Sequence, residues 1–405
     1  MQLPPSVIGA IETLEERGHQ AYLVGGSLRD LIIGVPVSDW DIACSATPEK
    51  VRECFEGHRV VDVGVQHGTL QVILGEGSVE ITSFRRDGAY LDHRHPVAIK
   101  YVATIEEDLA RRDFTMNAIA YNPRVGFVDP YGGRSDIEAR LIRSVGNPDD
   151  RLGEDALRIM RALRFSSRLC FEIEGGLSDS LHYNSALLQK IAAERVSAEL
   201  VKMLVGDNIL SVLLMYPDVL SVIIPEIQAT VRFDQKSRFH RYDIWEHTAR
   251  AIQAAKQDPV VRLTLLLHDL GKPACFFVDN EGEGHFYGHD IRGEELAIDR
   301  LRELRFEKAT IQKVSQLIRY HQVRLKPENV RKWLMRLGEE LLRLLIEVKR
   351  GDIAAHCESI SEHAMADLYA SELKLNEMIK QRECVSLRTL AVNGDDLLGM
   401  GIKKG

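Results

Sequence analysis

The sequence predicts an α+β protein: a small domain of alternating strands and helices, then helices to the end. Two observations carry that reading. Up to about residue 145, short β-like runs alternate with helical segments and Gly-rich turns. After Asp150 the strand signals stop and helical spacing dominates. With 405 residues, 45% hydrophobic and 28% charged, the chain has room for about two to four domains.

In order, the strand candidates are "AYLV" from Ala21, "DIACS" from Asp41, "RVVDVG" from Arg59, "TLQVILG" from Thr69, "VEITSF" from Val79 and "AIAY" from Ala118. "TPEKVRECFE" supplies a helix between the second and third. "GEDALRIMRALRFSSRL" and "ERVSAELVKMLV" have helical spacing. A second composition shift near residue 230 brings frequent histidines. These shifts divide the chain into 1–145, a small α/β domain; 146–230, a helical region; 231–370, a histidine-bearing helical domain; and 371–405, a last helical segment.

No apolar stretch reaches the roughly 18 residues of a membrane span, and the first residues carry no basic leader before an apolar core. The six cysteines are scattered and never form C-x-x-C, which fits reduced thiols in a cytoplasmic protein. A net charge of −8 excludes a chain basic throughout. A nucleic-acid partner then needs a local stripe, and Arg140, Arg143, Arg151, Arg158, Arg161, Arg164 and Arg168 offer one.

The stretch "YLVGGSLRDLIIGVPVSDWDIA" carries the first candidate chemistry. Asp39 and Asp41 are two apart, so on a strand both carboxylates face one side. Two like charges that close need a counter-charge, and Mg²⁺ is usually held by one or two carboxylates plus substrate phosphates. Glu80, on a neighbouring strand, is a third carboxylate to deprotonate or orient an attacking hydroxyl. Gly25 and Gly26 end a strand and lead into a helix expected to start at Ser27. Backbone N–H groups there approach a phosphate, and Arg29 adds a fork of donors. A D-x-D alone also reads as a surface strand end; together with the glycine turn it describes a nucleotidyl transferase.

"GEDALR" places Glu154, Asp155 and Arg158 at an expected helix start, with Asp155 and Arg158 on one face. Cytosine and adenine both present an amine donor beside a ring-nitrogen acceptor; guanine and uracil present the reverse. An Asp–Arg pair aimed at that edge accepts C and A and leaves unpaired groups with G or U. The bland alternative is an i,i+3 surface ion pair. Arg161 and Arg164 continue the stripe toward phosphate. In "RRDFTMNAIA", Asp113 and Asn117 suit a ribose hydroxyl, or Asp113 caps a helix.

At this point "VGGSLRDLIIG…SDWDIA", "RRDFTMNAIAYN", "DPYGG…DI" and "GEDALRIMRALRF" resemble, in order and spacing, the bacterial class II tRNA nucleotidyltransferase and poly(A) polymerase family. The resemblance covers about the first 205 residues. It implies a mixed-sheet nucleotidyltransferase head followed by a helical neck, body and tail. It implies that Gly26, Arg29, Arg112, Asp155, Arg158, Arg161 and Arg164 contact the incoming nucleotide and that Asp39 and Asp41 hold Mg²⁺. The implied partners are tRNA, CTP and ATP, with no membrane, and the implied reaction is addition of C, C and A to tRNA 3′ ends. Between Glu80 and Arg111, "RRDGAYLDHRHP" reads as a mobile loop of the kind that accompanies the switch from C to A in that family. The poly(A) polymerase branch carries a Gly-basic-basic-Phe segment after the D-x-D; "GHRVVDVGVQHG" does not fit it, and poly(A) synthesis is the alternative it weakens.

The second candidate centre is a series: His247, His268, Asp269, His289, His321 and Asp352. A His-Asp pair with further histidines and a distant Asp is a metal-ligand inventory. It resembles the HD phosphohydrolase superfamily, with Lys272 at a phosphate-contacting position. Imidazoles suit a transition metal such as Mn²⁺, Ni²⁺ or Co²⁺ better than Mg²⁺. Hydrolysis of a 2′,3′-cyclic or 3′-phosphate and a purely structural metal site are both open from sequence, as is a phosphohydrolase whose head only binds RNA. The last segment, "LAVNGDDLLGMGIKKG", reads as the start of a shortened tail element.

Overall fold

A computed structural model describes residues 2–37, 39–64, 68–75, 77–87, 99–237 and 241–381. The chain forms two compact units, residues 1–199 and 200–405. The expected loop over residues 88–98 and the tail element after residue 381 lie outside the described residues.

The first unit is built on a mixed sheet. Strands β1 (Ala21–Val24), β2 (Trp40–Cys44), β3 (Arg59–Gly64), β4 (Thr69–Leu74) and β5 (Gly77–Ser83) follow one another. Strands β6 (Arg85–Asp87) and β7 (Ile99–Tyr101) pair as a separate ribbon. Strands β8 (Ala120–Asn122) and β9 (Gly126–Val128) complete the main sheet. Its order is β3-β4-β5-β2-β1-β8-β9. Only β2 and β5 run parallel within it; every other neighbour pair is antiparallel. All the expected strands are present; β6, β7 and β9 are additions, as are a short parallel pair, Leu141–Ile142 with Glu172–Ile173, and a hairpin, Phe277–Val278 with Gly284–His285, so strands do occur after Asp150.

Burial explains why these segments hold. β1 is buried along its whole length, as expected of an apolar run covered on both faces. The helix Pro5–Glu16 starts with proline at its first position and buries Val7, Ala10, Ile11 and Leu14, the spacing of one helical face. A second layer packs Ile105 and Leu109 with Tyr22, Ala43 and Phe84.

Two local expectations are corrected. The helix after β1 spans Gly25–Ile33, so it begins two residues before Ser27. Asp155 does not start a helix: it ends Pro148–Glu154 with extended backbone (φ −134°, ψ 101°), and a new helix runs Leu157–Leu169. The first of these is entered by Asn147, whose side chain accepts from Asp150 N–H, with Pro148 next. The break arises because Asp155 Oδ1 accepts from Leu157 N–H, a local bond that competes with helical pairing.

The second unit is helical. Its principal helices are Ile244–Ala254, Pro259–Leu267, His289–Glu303, Lys308–Tyr320, Val330–Ala354 and Glu358–Lys380. Asp243 and Asp258 cap the first two through their carboxylates. Buried Arg262 donates to the carbonyls of Leu204, Gly206 and Ala255 at 2.7, 2.8 and 3.1 Å. Gly351 lets Val330–Ala354 lie close against Ile244–Ala254: a Cβ there would stand 2.8 Å from the Ala251 carbonyl oxygen. That contact brings the next residue, Asp352, to His247 on the facing helix.

Candidate active site and metal centre

In the first unit, Asp41 on β2 and Glu80 on β5 are register partners across the parallel pair. Side chains directly opposite on neighbouring strands share a face, which brings Asp41 to Glu80; Asp39 lies in a bend before β2, so the expected common strand face of the two aspartates is not formed. Asp41 N–H donates to Ser27 Oγ at 3.2 Å, and Ser27 Oγ donates to the Val24 carbonyl at 2.8 Å. This ties the carboxylate strand to the turn. Gly25 has φ +68°, and a Cβ on it would stand 3.0 Å from Arg112 Nη1 and 3.3 Å from Asp41 Oδ2. Only glycine accommodates both demands easily.

Burial pushes the Asp41 carboxyl up to about 6; Arg112 opposes this, while Glu80 and Asp39 reinforce it. The neighbouring guanidiniums therefore do not neutralise this cluster of acids. A divalent cation would, and hard carboxylate oxygens suit Mg²⁺. By donor chemistry the Asp41 carboxylate, with Glu80 its partner across the sheet, suits such an ion.

A cavity of about 530 Å³ opens beside them. Gly25, Gly26, Arg29, Asp41, Arg112, Asp113, Asn117, Asp155, Arg158, Arg161 and Arg164 all line it. Of the expected head residues, Asp39, Glu80 and Glu154 do not. The sequence reading missed Arg85, Arg111, Phe165 and Arg195 on the same wall. From the arginine stripe, only Arg158, Arg161 and Arg164 reach the cavity. Arg143 pairs with Asp136, and Arg151 with Glu154.

The cavity's cations are held on a connected frame. Arg29 Nη1 donates to Asn117 Oδ1 at 2.7 Å, Asn117 Nδ2 donates to Asp113 Oδ1 at 2.9 Å, and Arg161 donates to Asp113 Oδ2 at 2.8 Å from Nε and 2.5 Å from Nη2. Asp113 also accepts from Phe114 N–H. Its oxygens are thus committed to the frame rather than to capping a helix. Burial would raise the Asp113 carboxyl, but Arg161 and Asn117 outweigh it and hold the group well below the usual carboxylate range. The guanidiniums of Arg29, Arg161 and Arg164 lie 4.8, 5.4 and 3.9 Å from the Phe165 ring centre, a cation–π arrangement that stacks three positive groups on one ring.

The expected pairing of Asp155 with Arg158 is replaced. Arg158 donates to the Arg151 carbonyl, Glu154 and the Arg111 carbonyl at 2.8, 2.7 and 3.0 Å. Asp155 is instead held by Arg195, 3.0 Å from Nη2 to Oδ2. The helix break at Asp155 is the cause: it takes the two side chains off a common helical face.

In the second unit, all six expected metal-site residues converge. His247 Nε2 lies 2.9 Å from Asp352 Oδ1, and His268 Nε2 lies 3.3 Å from Asp269 Oδ2. His289 Nε2 lies 3.4 Å from Asp269 Oδ1 and 3.2 Å from His321 Nε2. Their ligand atoms form overlapping groups, and His356 joins His247 and Asp352 as a member the sequence reading missed. Lys272 Nζ sits 2.8 Å from Asp269 Oδ2 and 2.9 Å from Gln235 Oε1.

The tautomers fit a metal. Nδ1 of His268, His289 and His321 faces the Leu265, Phe286 and Ile318 carbonyls at 2.7, 2.7 and 2.6 Å. A carbonyl only accepts, so each Nδ1 carries a hydrogen, which leaves the inward Nε2 as the nitrogen of each ring that a metal would take. His268 Nε2 is buried between two acids, 3.3 Å from Asp269 Oδ2 and 3.7 Å from Asp352 Oδ1. Burial drives the His321 imidazole down to about 3, with His268 adding to the effect. Facing imidazole nitrogens in a buried acidic nest are a poor arrangement alone and a good one around a divalent cation.

Family models match this layout: a "Poly A polymerase head domain" over residues 21–143, a "Probable RNA and SrmB- binding site of polymerase A" over 170–230, and an "HD domain" over 244–356. The chain is 40% identical over 269 residues to a CCA-adding enzyme of Geobacillus kaustophilus, covering 64% of this chain and 66% of that one. It is 46% identical over 198 residues to a CCA-adding enzyme of Ligilactobacillus salivarius, covering 49% and 48%. A crystal structure of the Bacillus stearothermophilus CCA-adding enzyme in complex with CTP superposes with a TM-score of 0.73 at 28% identity, covering 100% of this chain and 90% of that one. The chain belongs to the tRNA nucleotidyltransferase and poly(A) polymerase family.

The chain spans 66% of the length of the first of these curated relatives and 48% of the second. Within the family frame, the head region holds Gly25 to Asn117, and the HD region runs from before His247 to His356. The α+β class, with a mixed sheet in the head and helices beyond, is the family's fold. Divalent metal chemistry is consistent with both regions and with the clustered ligands. Among the described residues no helix is long and apolar enough to cross a membrane.

Proposed function

We propose that this protein adds C, C and A to the 3′ end of tRNA, using CTP and ATP and no nucleic-acid template. One observation carries the reading: a single cavity is lined by Asp41, by the phosphate-suited arginines and by the Asp155–Arg158–Arg195 group. The similarity to CCA-adding enzymes supports it.

Asp39 and Asp41 are the residues to hold Mg²⁺, which when bound neutralises the triphosphate and favours in-line displacement. The Gly25–Gly26 backbone, Arg29 and Arg112 bind the phosphates; Arg161 and Arg164 extend that field. Glu80 accepts the proton of the tRNA 3′-hydroxyl as its oxygen bonds to the α-phosphorus and pyrophosphate leaves. Asp155 accepts from the exocyclic amine of C or A, and Arg158 donates to the ring nitrogen beside it. Asn117, fixed by Asp113, is near enough to the same wall to take a ribose hydroxyl. We assign residues 1–145 to the head, 146–230 to neck and body, 231–370 to the HD region and 371–405 to the tail. The inward Nε2 atoms support a transition metal such as Mn²⁺, Ni²⁺ or Co²⁺ at the HD centre and phosphoester hydrolysis there as an additional activity.

Incubating the protein with tRNA lacking CCA and single labelled nucleotides tests this. Addition of three residues then a stop is expected. A long A ladder would mean poly(A) synthesis, and dephosphorylation alone would mean a phosphohydrolase with an RNA-binding head. Asp41→Ala should abolish addition while a gel-shift assay still detects tRNA binding, because arginines hold the RNA.

A further inference from the structure

Behind the wall of the head cavity, one acid sits where an apolar residue would be ordinary. The helix Ile105–Ala110 turns Ile105, Asp108 and Leu109 inward, the spacing of a single helical face. Ile105 and Leu109 pack into the core, and Asp108 is fully buried beside them. A buried carboxylate is costly unless it is paired and hydrogen-bonded. Asp108 Oδ1 accepts from Arg111 at 3.0 Å from Nε and 2.8 Å from Nη2, and from Arg85 N–H at 3.2 Å. Its Oδ2 accepts from Arg112 Nη2 at 3.2 Å. Burial would raise the carboxyl, but Arg111 and Arg112 outweigh it and hold the group below the usual carboxylate range.

Arg85, Arg111 and Arg112 all line the head cavity, whereas Asp108 does not. The acid therefore stands one layer behind the wall and anchors the wall at each of these residues. Its hold on Arg112 is matched on the other side of that guanidinium. Arg112 Nη1 donates to the Asn117 carbonyl at 3.3 Å and lies so near Gly25 that a Cβ there would stand 3.0 Å away. The Arg111 carbonyl in turn accepts from Arg158 Nη2 at 3.0 Å. Stability alone does not call for a charge here, since an apolar residue would complete the Ile105–Leu109 face without burying a carboxylate. What the acid adds is a fixed direction for two long cationic side chains.

From this arrangement we propose that Asp108 is a positioning residue for nucleotide transfer: it holds Arg111 and Arg112 toward the cavity so that both, and not Arg112 alone, receive the triphosphate of the incoming nucleotide. Donors already held in place bind an anion without an ordering cost at that moment. The inference rests on the reading of this cavity as the nucleotide site.

The test is steady-state addition of labelled CTP to tRNA lacking CCA, with the full chain and Mg²⁺. Calorimetry with inorganic triphosphate follows the phosphate contact without a base. Asp108→Asn keeps the shape and removes the charge. It should raise KM for CTP at least about tenfold while kcat falls less than about threefold, because the triphosphate carries its charge before and during transfer. Binding of inorganic triphosphate should weaken by a similar factor. A purely structural acid would lower the folded fraction, so kcat would fall at unchanged KM, and that pattern overturns the proposal. The Arg111 side chain is partly exposed, so Arg111→Ala is the variant that decides if Asp108→Asn does not fold. It should raise KM at least about fivefold; parental KM there overturns the proposal. Arg112→Ala tests the underlying reading. If it raises KM while a folded Asp108→Asn keeps the parental value, the positioning role alone falls. If Arg112→Ala also keeps the parental KM, the assignment of this wall to phosphate falls with it.

Discussion

Arg195 Nη2 stands 3.0 Å from Asp155 Oδ2, a pair formed across forty residues of sequence. The acid suited to reading a base edge therefore takes its orientation from a residue outside its own motif. Arg158, its sequence neighbour, is buried and spends three hydrogen bonds on Arg151, Glu154 and Arg111.

This separation makes the roles of the acid and its holder measurable. In Asp155→Asn an amide offers a donor where the carboxylate could only accept, so uracil becomes tolerable. The ratio of CTP to UTP incorporation efficiency should fall at least about tenfold. Arg195→Ala removes a partly exposed pair, so the ratio should move by less than about fivefold while KM for CTP rises. An unchanged ratio in Asp155→Asn would place base selection elsewhere.

Gly25 gives a second prediction. Its positive φ strains any L side chain, and a Cβ there would press on Arg112 Nη1 and Asp41 Oδ2 at 3.0 and 3.3 Å. Gly25→Ala should cost about 1–2 kcal/mol of stability from the backbone alone, and pushing Asp41 aside should lower kcat by at least about tenfold. Thermal melting and single-turnover CTP addition read the two effects separately. A variant with parental kcat would show that Asp41 tolerates the displacement.

How far the sequence reaches depends on the kind of signal. The β-branched and apolar runs of β1 to β5 are legible because burial and strand propensity agree. The His–Asp series is legible because few other arrangements place those side chains at such intervals. The break at Asp155 is hidden: "GEDALRIMRA" keeps helical spacing through it, and a single side-chain bond to Leu157 N–H decides the geometry. Arg195 and His356 are hidden for another reason. Each is an ordinary polar residue on a helix or its end until tertiary packing brings it to Asp155 or to His247 and Asp352. The short ribbon of β6 and β7 has only three residues a side and no alternation long enough to read.

Asp113 links stability to pH. Arg161 and Asn117 hold its carboxyl below the usual range despite burial. A folded-state pKa below the unfolded value, about 3.9, contributes stability that is fully present above that value. The contribution is lost as pH falls through the folded-state pKa. Asp113→Asn should therefore destabilise the first unit at pH 7 by about 1–3 kcal/mol, with a smaller further loss between about pH 4 and 2 than the parent shows. Hydrogen exchange over residues 108–122 under denaturant reads this locally. Identical acid sensitivity in the two proteins would remove Asp113 from the account.

The last prediction concerns what the histidine cluster holds. His289 Nε2 and His321 Nε2 are 3.2 Å apart, and each ring has its Nδ1 against a carbonyl. With both Nδ1 atoms turned to carbonyls, the two Nε2 atoms are the nitrogens that would bind a cation between or beside them. Asp269 lies within 3.9 Å of His268, His289 and His321, and it is the acid shared by two of the candidate ligand groups. Replacing His268 and Asp269 together by alanine should abolish retention of Mn²⁺ or Ni²⁺ after loading and dialysis, and with it any phosphoester hydrolysis. CCA addition should persist, because every residue lining the head cavity belongs to the first unit. Since both replaced groups are buried, Asp352→Asn provides a second, isosteric variant with the carboxylate charge removed. It should lower metal retention at least about tenfold while leaving the far-ultraviolet circular dichroism of the parent. Equal metal content in parent, double variant and Asp352→Asn would refute the assignment of these residues as ligands.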